Sequence, residues 1–439
     1  MCLRLCLLLP IAALLCAVVL AQTPDPRNVT LTGDRFKPLK YDEMTPEQKT
    51  MIEHLLNGER RNTGGPFNVL LRSPAVGDLV QKFGETRRFR TVLPKDVAEM
   101  IIIMTARFWT SQYEWTVHKA AALQNGVKQP IVDAIAAGKR PEGMSPEMEA
   151  AYNFVDEILT THQVTDATFN AAKARFDERG VVDIAQLSGY YAMVAMFLNV
   201  DRYPLGQGQQ PELKPLDNPL PVVGMGFATP TPGPPNPSQA RSTINGRALN
   251  LRGDRLKALT YDQMSAEQKK LVETVLAGRG PGGSFNILLR SPEAGEAFFN
   301  MGEPVRSGLA ISDKLKELGI AITARFWGGQ MEWLSHSRSA AQAGIGQDKL
   351  TAIAEGRRPA GFAPDEQAVY DFTTELFKTR QVSDATFAAA KQQLGERGIV
   401  DLMVATGYYQ VVSMLMTTDR LPLGAGQQPA LQYMANPLP

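Results

Sequence analysis

The sequence predicts an all-α protein built from two copies of one helical unit. The segment T-A-R-F-W-T-S-Q-Y-E-W-T-V-H, from Thr105 to His118, returns as T-A-R-F-W-G-G-Q-M-E-W-L-S-H, from Thr323 to His336, and the two segments hold all four tryptophans. Apolar residues recur at helical spacing almost throughout, while alternating strand patterns are scarce. Helix-start signals, a Ser or Thr cap followed by an acidic first turn, fall at matching places in the two copies.

Residues 1–21 read as a secretory signal peptide: Arg4, an apolar stretch through Leu20, then V-L-A before Gln22. This places the protein outside the cytoplasm, secreted or periplasmic. Cys2, Cys6 and Cys16 all lie in that segment, so the mature chain has no thiolate ligand, no thiol nucleophile and no disulfide. The formal net charge is +1, and loss of Arg4 brings it to zero. A neutral chain of mixed charges argues against nucleic-acid binding, and no further long apolar run argues for a membrane anchor after signal removal. Asn28-Val29-Thr30 is a glycosylation sequon of the kind that also arises by chance.

The first copy is assigned to residues 28–221 and the second to 248–439. Asp34-Arg35-Phe36-Lys37 answers Asp254-Arg255-Leu256-Lys257, Phe67 to Pro74 answers Phe285 to Pro292, and Asn218-Pro219-Leu220-Pro221 answers Asn436-Pro437-Leu438-Pro439. Each copy is roughly 190 residues, enough for one core. Residues 222–247 contain T-P-T-P-G-P-P-N-P and are predicted to be an extended spacer. At about 3 Å per residue such a spacer lets the copies pack as a pseudo-twofold pair.

Helix starts are predicted at Thr45-Pro46-Glu47, Ser145-Pro146-Glu147, Thr165-Asp166 and Ser265-Ala266-Glu267. Ile101-Ile102-Ile103-Met104 is apolar all round and predicts a buried helix. Gly180 and Gly398, each after E-R, are predicted to end one helix before the next begins. Gly328-Gly329 predicts a break between Arg325 and Glu332. The glycine-rich turns at Gly64 and Gly282 lack the G-K-[ST] ending of a phosphate loop and read as loops entering a helix at a pocket rim.

Candidate chemistry concentrates in the repeated segment. Glu114 and His118, like Glu332 and His336, sit four residues apart, which on a helix places their β-carbons about 5–6 Å apart on one face. That suits an acid/base pair acting on a small molecule, and this reading is preferred to a buried ion pair that only fixes packing. Glu99 and Glu317 precede the two histidines at equal spacing, on the buried helix, where an unpaired charge is costly. Arg107 and Arg325 are their expected partners, as substrate clamp or as structural salt bridge. Trp109, Trp115, Trp327 and Trp333 are expected as core and pocket wall. One His per copy at this spacing disfavours a metal site.

The Q-x-E-W-x-x-H segment, the upstream Glu of D-V-A-E-M and the helical surroundings resemble the carboxymuconolactone decarboxylase family, of the alkylhydroperoxidase D-like superfamily. The resemblance covers both copies and is most specific from Asp96 to Gly126 and from Asp313 to Gly344. It implies two tandem alkylhydroperoxidase D-like helical domains. In the peroxidase branch the pattern is C-x-x-C-x-x-x-H; here Ser111 and Glu114, or Gly329 and Glu332, stand at the cysteine positions, which argues against thiol-based peroxide reduction. The resemblance makes Glu99, Glu317, His118 and His336 the proton relay, and implies cofactor-free, metal-free loss of CO2 from an unsaturated lactone acid. It also implies self-association, up to a trimer of tandem chains. A non-catalytic small-molecule binder on the same fold is the alternative expectation.

Overall fold

The computed structural model describes residues 25–217, 220, 236–278, 280–434 and 436–439. The signal-peptide segment and most of the Pro-rich spacer lie outside those residues. Among the described residues the chain is all-α apart from one two-stranded hairpin. In the first half the helices are α1 (Pro46–Asn57), α2 (Phe67–Leu70), α3 (Pro74–Phe89), α4 (Lys95–Trp109), α5 (Gln112–Gln124), α6 (Gln129–Ala136), α7 (Pro146–Thr160) and α8 (Asp166–Asp201). The hairpin follows, β1 (Ser238–Ile244) and β2 (Arg247–Gly253). The second half repeats the order as α9 (Ala266–Ala277), α10 (Phe285–Leu288), α11 (Pro292–Ser307), α12 (Asp313–Trp327), α13 (Gln330–Gln342), α14 (Gln347–Ala354), α15 (Pro364–Thr379) and α16 (Asp384–Asp419).

The capping residues do what their positions require. Thr45 and Ser265 close capping boxes with Gln48 and Gln268, and Ser145 and Thr165 accept from the N–H groups of Met148 and Thr168. Two expectations are corrected. The break before the last helix segment falls at Asp177 (φ 55°) and Gly395 (φ 67°), not at Gly180 and Gly398. Gly180 and Gly398 are helical; a β-carbon there would come within 2.3 Å of Phe176 Cβ and 2.9 Å of Leu394 Cβ, so close approach is the reason for glycine. The spacer is also shorter than residues 222–247, because residues 238–253 form the hairpin. Asn245-Gly246 supplies the two positive φ angles, 50° and 76°, that a two-residue hairpin turn needs.

The halves pack against each other through α8 on α16 and α3 on α11. Each of the long helices is long and apolar enough to cross a bilayer, but its apolar stretch is wholly buried in protein. Gly189 and Gly407 occupy equivalent places at the crossing: a β-carbon on Gly189 would meet Val411 at 3.0 Å, and one on Gly407 would meet Met193 at 2.6 Å. The polar contacts are also reciprocal. Arg72 Nε donates to Glu396 at 3.1 Å while Arg290 Nε donates to Glu178 at 3.0 Å; Arg35 meets Asp384 at 2.8 Å while Arg255 meets Asp166 at 2.7 Å. Contacts that repeat in exchanged order mark a pseudo-twofold, isologous interface.

One equivalent pair is not alike. Asp183, fully buried, accepts from Arg87 Nη1 (2.7 Å), Thr91 Oγ1 (3.0 Å) and Val92 N–H (2.9 Å). Asp401 accepts from Ser73 Oγ (2.5 Å) and Ala310 N–H (2.6 Å), and Val305 stands where Arg87 would be. Burial raises both carboxyls; at Asp183 the Arg87 guanidinium overcomes it and holds the group low, while at Asp401 burial prevails. Asp183→Ala strands a buried guanidinium and is expected to cost about 3–5 kcal/mol. Asp401→Ala leaves a hydroxyl and backbone N–H groups, but no guanidinium, unpaired and should cost about 1–3 kcal/mol. Urea unfolding of the two variants checks the ranking; equal losses would contradict it.

Candidate functional site

Each half encloses a cavity at the join of its repeated segment with the last helix. The turn between α4 and α5 is made by Thr110 (φ 50°) and that between α12 and α13 by Gly328 (φ 63°), so the expected glycine break has a non-glycine counterpart in the first half. This turn folds α5 back against α4, bringing His118 opposite Glu99. His118 Nδ1 lies 2.7 Å from Glu99 Oε2, and His336 Nδ1 lies 2.6 Å from Glu317 Oε2. A carboxylate there fixes the tautomer with the proton on Nδ1 and leaves Nε2 as the basic nitrogen. The His rings are held edge-on by Tyr191 (4.8 Å) and Tyr409 (4.3 Å) from the last helices.

The first cavity is about 580 Å³ and the second about 480 Å³, both in the range for small-molecule sites. Glu114 and His118 face the first and Glu332 and His336 the second. The glycine-rich turns at Gly64 and Gly282 form the rims. Glu114 is 2% exposed and neither of its carboxyl oxygens has a hydrogen-bond partner; Glu332 Oε2 is likewise alone. Burial pushes the Glu114 carboxyl well above the carboxylate range and Glu332 up to about 8, with its own backbone N–H and then the charge of Arg306 restraining the latter. Burial lowers His118, which outweighs its contact with Glu99. In the first site burial thus favours the un-ionised form of the acid and the uncharged form of the imidazole.

Three expectations about the site are corrected. Arg107 and Arg325 do not meet Glu99 and Glu317 and do not line the cavities. Eight residues separate each Arg from its Glu, about 12 Å along the helix and about 80° round it. Arg107 donates to Thr110 Oγ1 and Lys214 O, both at 2.8 Å, and Arg325 donates to Gln432 O at 2.8 Å, so each ties the tail of its own half to a core helix. Nor do Trp109, Trp115, Trp327 and Trp333 form pocket walls. Trp109 packs on Phe377 of the other half (6.4 Å), Trp327 on His162 (4.5 Å), and Trp115 sends Nε1 to Glu212 (3.4 Å). Being next to Glu114 in sequence, Trp115 points about 100° away from it round the helix.

The cationic groups that do face the cavities were missed. Arg88 and Arg60 line the first, and Arg306, Lys316 and Arg252 the second. Arg60 Nη2 donates to Tyr190 OH at 3.1 Å. The signal was in the repeat itself: Arg88 and Arg306 correspond, as do Tyr190-Tyr191 and Tyr408-Tyr409, polar residues kept in otherwise apolar surroundings. Among the described residues no cluster of three or more His, Asp or Glu is placed to hold a metal ion. No protein-family profile matches the chain, and no curated protein matches it.

Glu332 gives a pH dependence with a definite sign. Its folded value, about 8, lies above its ordinary value of 4.5, so its contribution to stability is full below about pH 4.5 and is lost as pH rises through about 8. Wild-type protein minus Glu332→Gln, compared by urea unfolding from pH 5 to 9, should show that loss. A difference independent of pH would contradict it.

Proposed function

We propose that the protein is an exported, cofactor-independent acid–base enzyme acting on a small carboxylated or lactone substrate, a lyase in the manner of the carboxymuconolactone decarboxylases it resembles. The observation that carries this reading is the duplicated grouping, in one cavity, of an oriented Glu–His pair with a desolvated Glu, unpartnered at both oxygens of Glu114 and at Oε2 of Glu332. A structural ion pair needs no cavity, and a packing carboxyl would find a donor. Perturbed acids facing a cleft are the usual mark of proton transfer.

The roles follow from chemistry. Arg88 and Arg306 attract the substrate carboxylate, replacing Arg107 and Arg325 in the expected clamp. Loss of CO2 leaves an electron pair on carbon, delocalised into the unsaturated lactone. The un-ionised carboxyl of Glu114 or Glu332 delivers a proton to that carbon. The resulting carboxylate is reprotonated from solvent through His118 or His336, whose orientation Glu99 or Glu317 maintains. One proton is consumed for each CO2 released. No step calls on a metal or a cofactor.

The test is turnover of unsaturated lactone acids, followed by CO2 release and by deuterium incorporation at the carbon that loses CO2 in heavy water. Glu114→Gln with Glu332→Gln should lower the rate by about 10²–10⁴-fold, with the folded state retained by circular dichroism. Saturable binding without turnover would replace the enzyme by a binding protein; an unaffected rate would remove the two carboxyls from the mechanism.

A further inference from the structure

Behind each cavity lies a second one, against the other half. In the first half it is about 430 Å³, lined by Tyr113, Leu198 and Tyr203, with Gln381 contributed by the second half. In the second half it is about 370 Å³, lined by Met331, Met416, Leu421, Leu423 and Pro429, with Gln163 contributed by the first half. The positions correspond, so the repeat has built the same pair of chambers twice. The partition between them differs.

In the first half the partition is aromatic. The Tyr113 and Tyr203 rings pack 4.3 Å apart at a tilt of 55°, and Tyr203 OH accepts the N–H of Gly65 at 3.2 Å, tying the partition to the cavity rim. Glu114 lines only the front chamber. In the second half Met331 and Leu421 stand where those tyrosines would be, and neither carries a hydroxyl to accept the rim N–H. Met416, Leu421 and Met331 converge at the equivalent glycine: a β-carbon on Gly283 would meet them at 3.3, 3.7 and 3.9 Å. Met331, Met416 and Glu332 line both chambers there. Methionine is unbranched and adaptable, a poor wall compared with two packed tyrosine rings, one of them tied to the backbone.

We propose that the two sites take substrates of different length: the first half accepts a compact carboxylate, and the second a carboxylate bearing an apolar chain that passes Met331 and Leu421 into the rear chamber. The carboxylate end stays in front with Arg306 and Lys316, Glu332 lies at the junction, and Leu423 and Pro429 meet the tail. Tyr113 and Tyr203, against Met331 and Leu421, are the specificity-determining residues. The inference rests on the reading of the front chamber as a carboxylate site, and not on turnover.

Saturated straight-chain carboxylates from propanoate to decanoate, which lack the unsaturation needed to react, probe this by calorimetry on the full chain. Affinity at one site per chain should rise by about fourfold for each added methylene, and the other site should not follow. Met331→Tyr with Leu421→Tyr, which copies the first half's partition, should abolish the length dependence. Tyr113→Met with Tyr203→Leu should confer it on the first half's site, giving two long-chain sites per chain. Equal length dependence at both sites of the wild type, or a dependence unchanged by Met331→Tyr with Leu421→Tyr, overturns the proposal while leaving the carboxylate sites in place. Failure of every carboxylate to bind overturns both.

Discussion

The contact of α8 with α16 sets the geometry of both sites. Gly189 and Gly407, where the helices approach most closely, are followed directly by Tyr190-Tyr191 and Tyr408-Tyr409, which face the cavities and hold the histidines edge-on. A helix whose one face is packed against its counterpart cannot shift without moving the tyrosines on its other face, because close-packed interiors transmit displacement. The reciprocal Arg72–Glu396 and Arg290–Glu178 pairs fix the same interface at its ends. Neither half is thus a free-standing site on a tether: each cavity wall is braced by the other copy, and each rear chamber is completed by a glutamine from it.

Within that frame the site is organised by withholding partners. A buried carboxyl normally finds an N–H or a cation, as Asp183 does with Arg87. Glu114 finds neither, and the cost of ionising it in place keeps its proton on. Glu99 and Glu317 are treated in the opposite way, each spent on orienting an imidazole. Two kinds of carboxyl, one paired and one isolated, thereby take different roles within one helical hairpin. The isolated ones destabilise the fold once pH forces them to ionise, a cost commonly tolerated where chemistry needs it.

The sequence made much of this legible and hid specific parts. Duplication, helical class, caps at Thr45, Ser145, Thr165 and Ser265, and the helical hairpin bearing Glu114 and His118 follow from local patterns, which a short stretch of chain determines by itself. The grouping of Glu99 with His118 was expected only as the proton relay that the family resemblance implies, while the residues themselves pointed Glu99 to Arg107. Arg107 was misplaced because spacing along a helix says little about direction after two turns. Arg60, Arg88 and the tyrosine pairs stayed hidden because separate elements bring them together, for the first cavity the loop after α1, α3 and α8, and α8 and α16 are apolar on nearly every face, so no stripe marks the side that opens on a cavity. The hairpin was hidden by proline-rich neighbours, although Asn245-Gly246 is its ordinary signal.

The buried carboxyl is the centre of the proposed chemistry, and its protonation state can be read directly. Selective ¹³C labelling of glutamate side chains, with the Glu332 resonance identified by its loss in Glu332→Gln, gives the titration of that one group by NMR. The geometry predicts an un-ionised Glu332 at pH 7 and a midpoint at about 8. A carboxylate at pH 7, titrating near the ordinary value of 4.5, would contradict it.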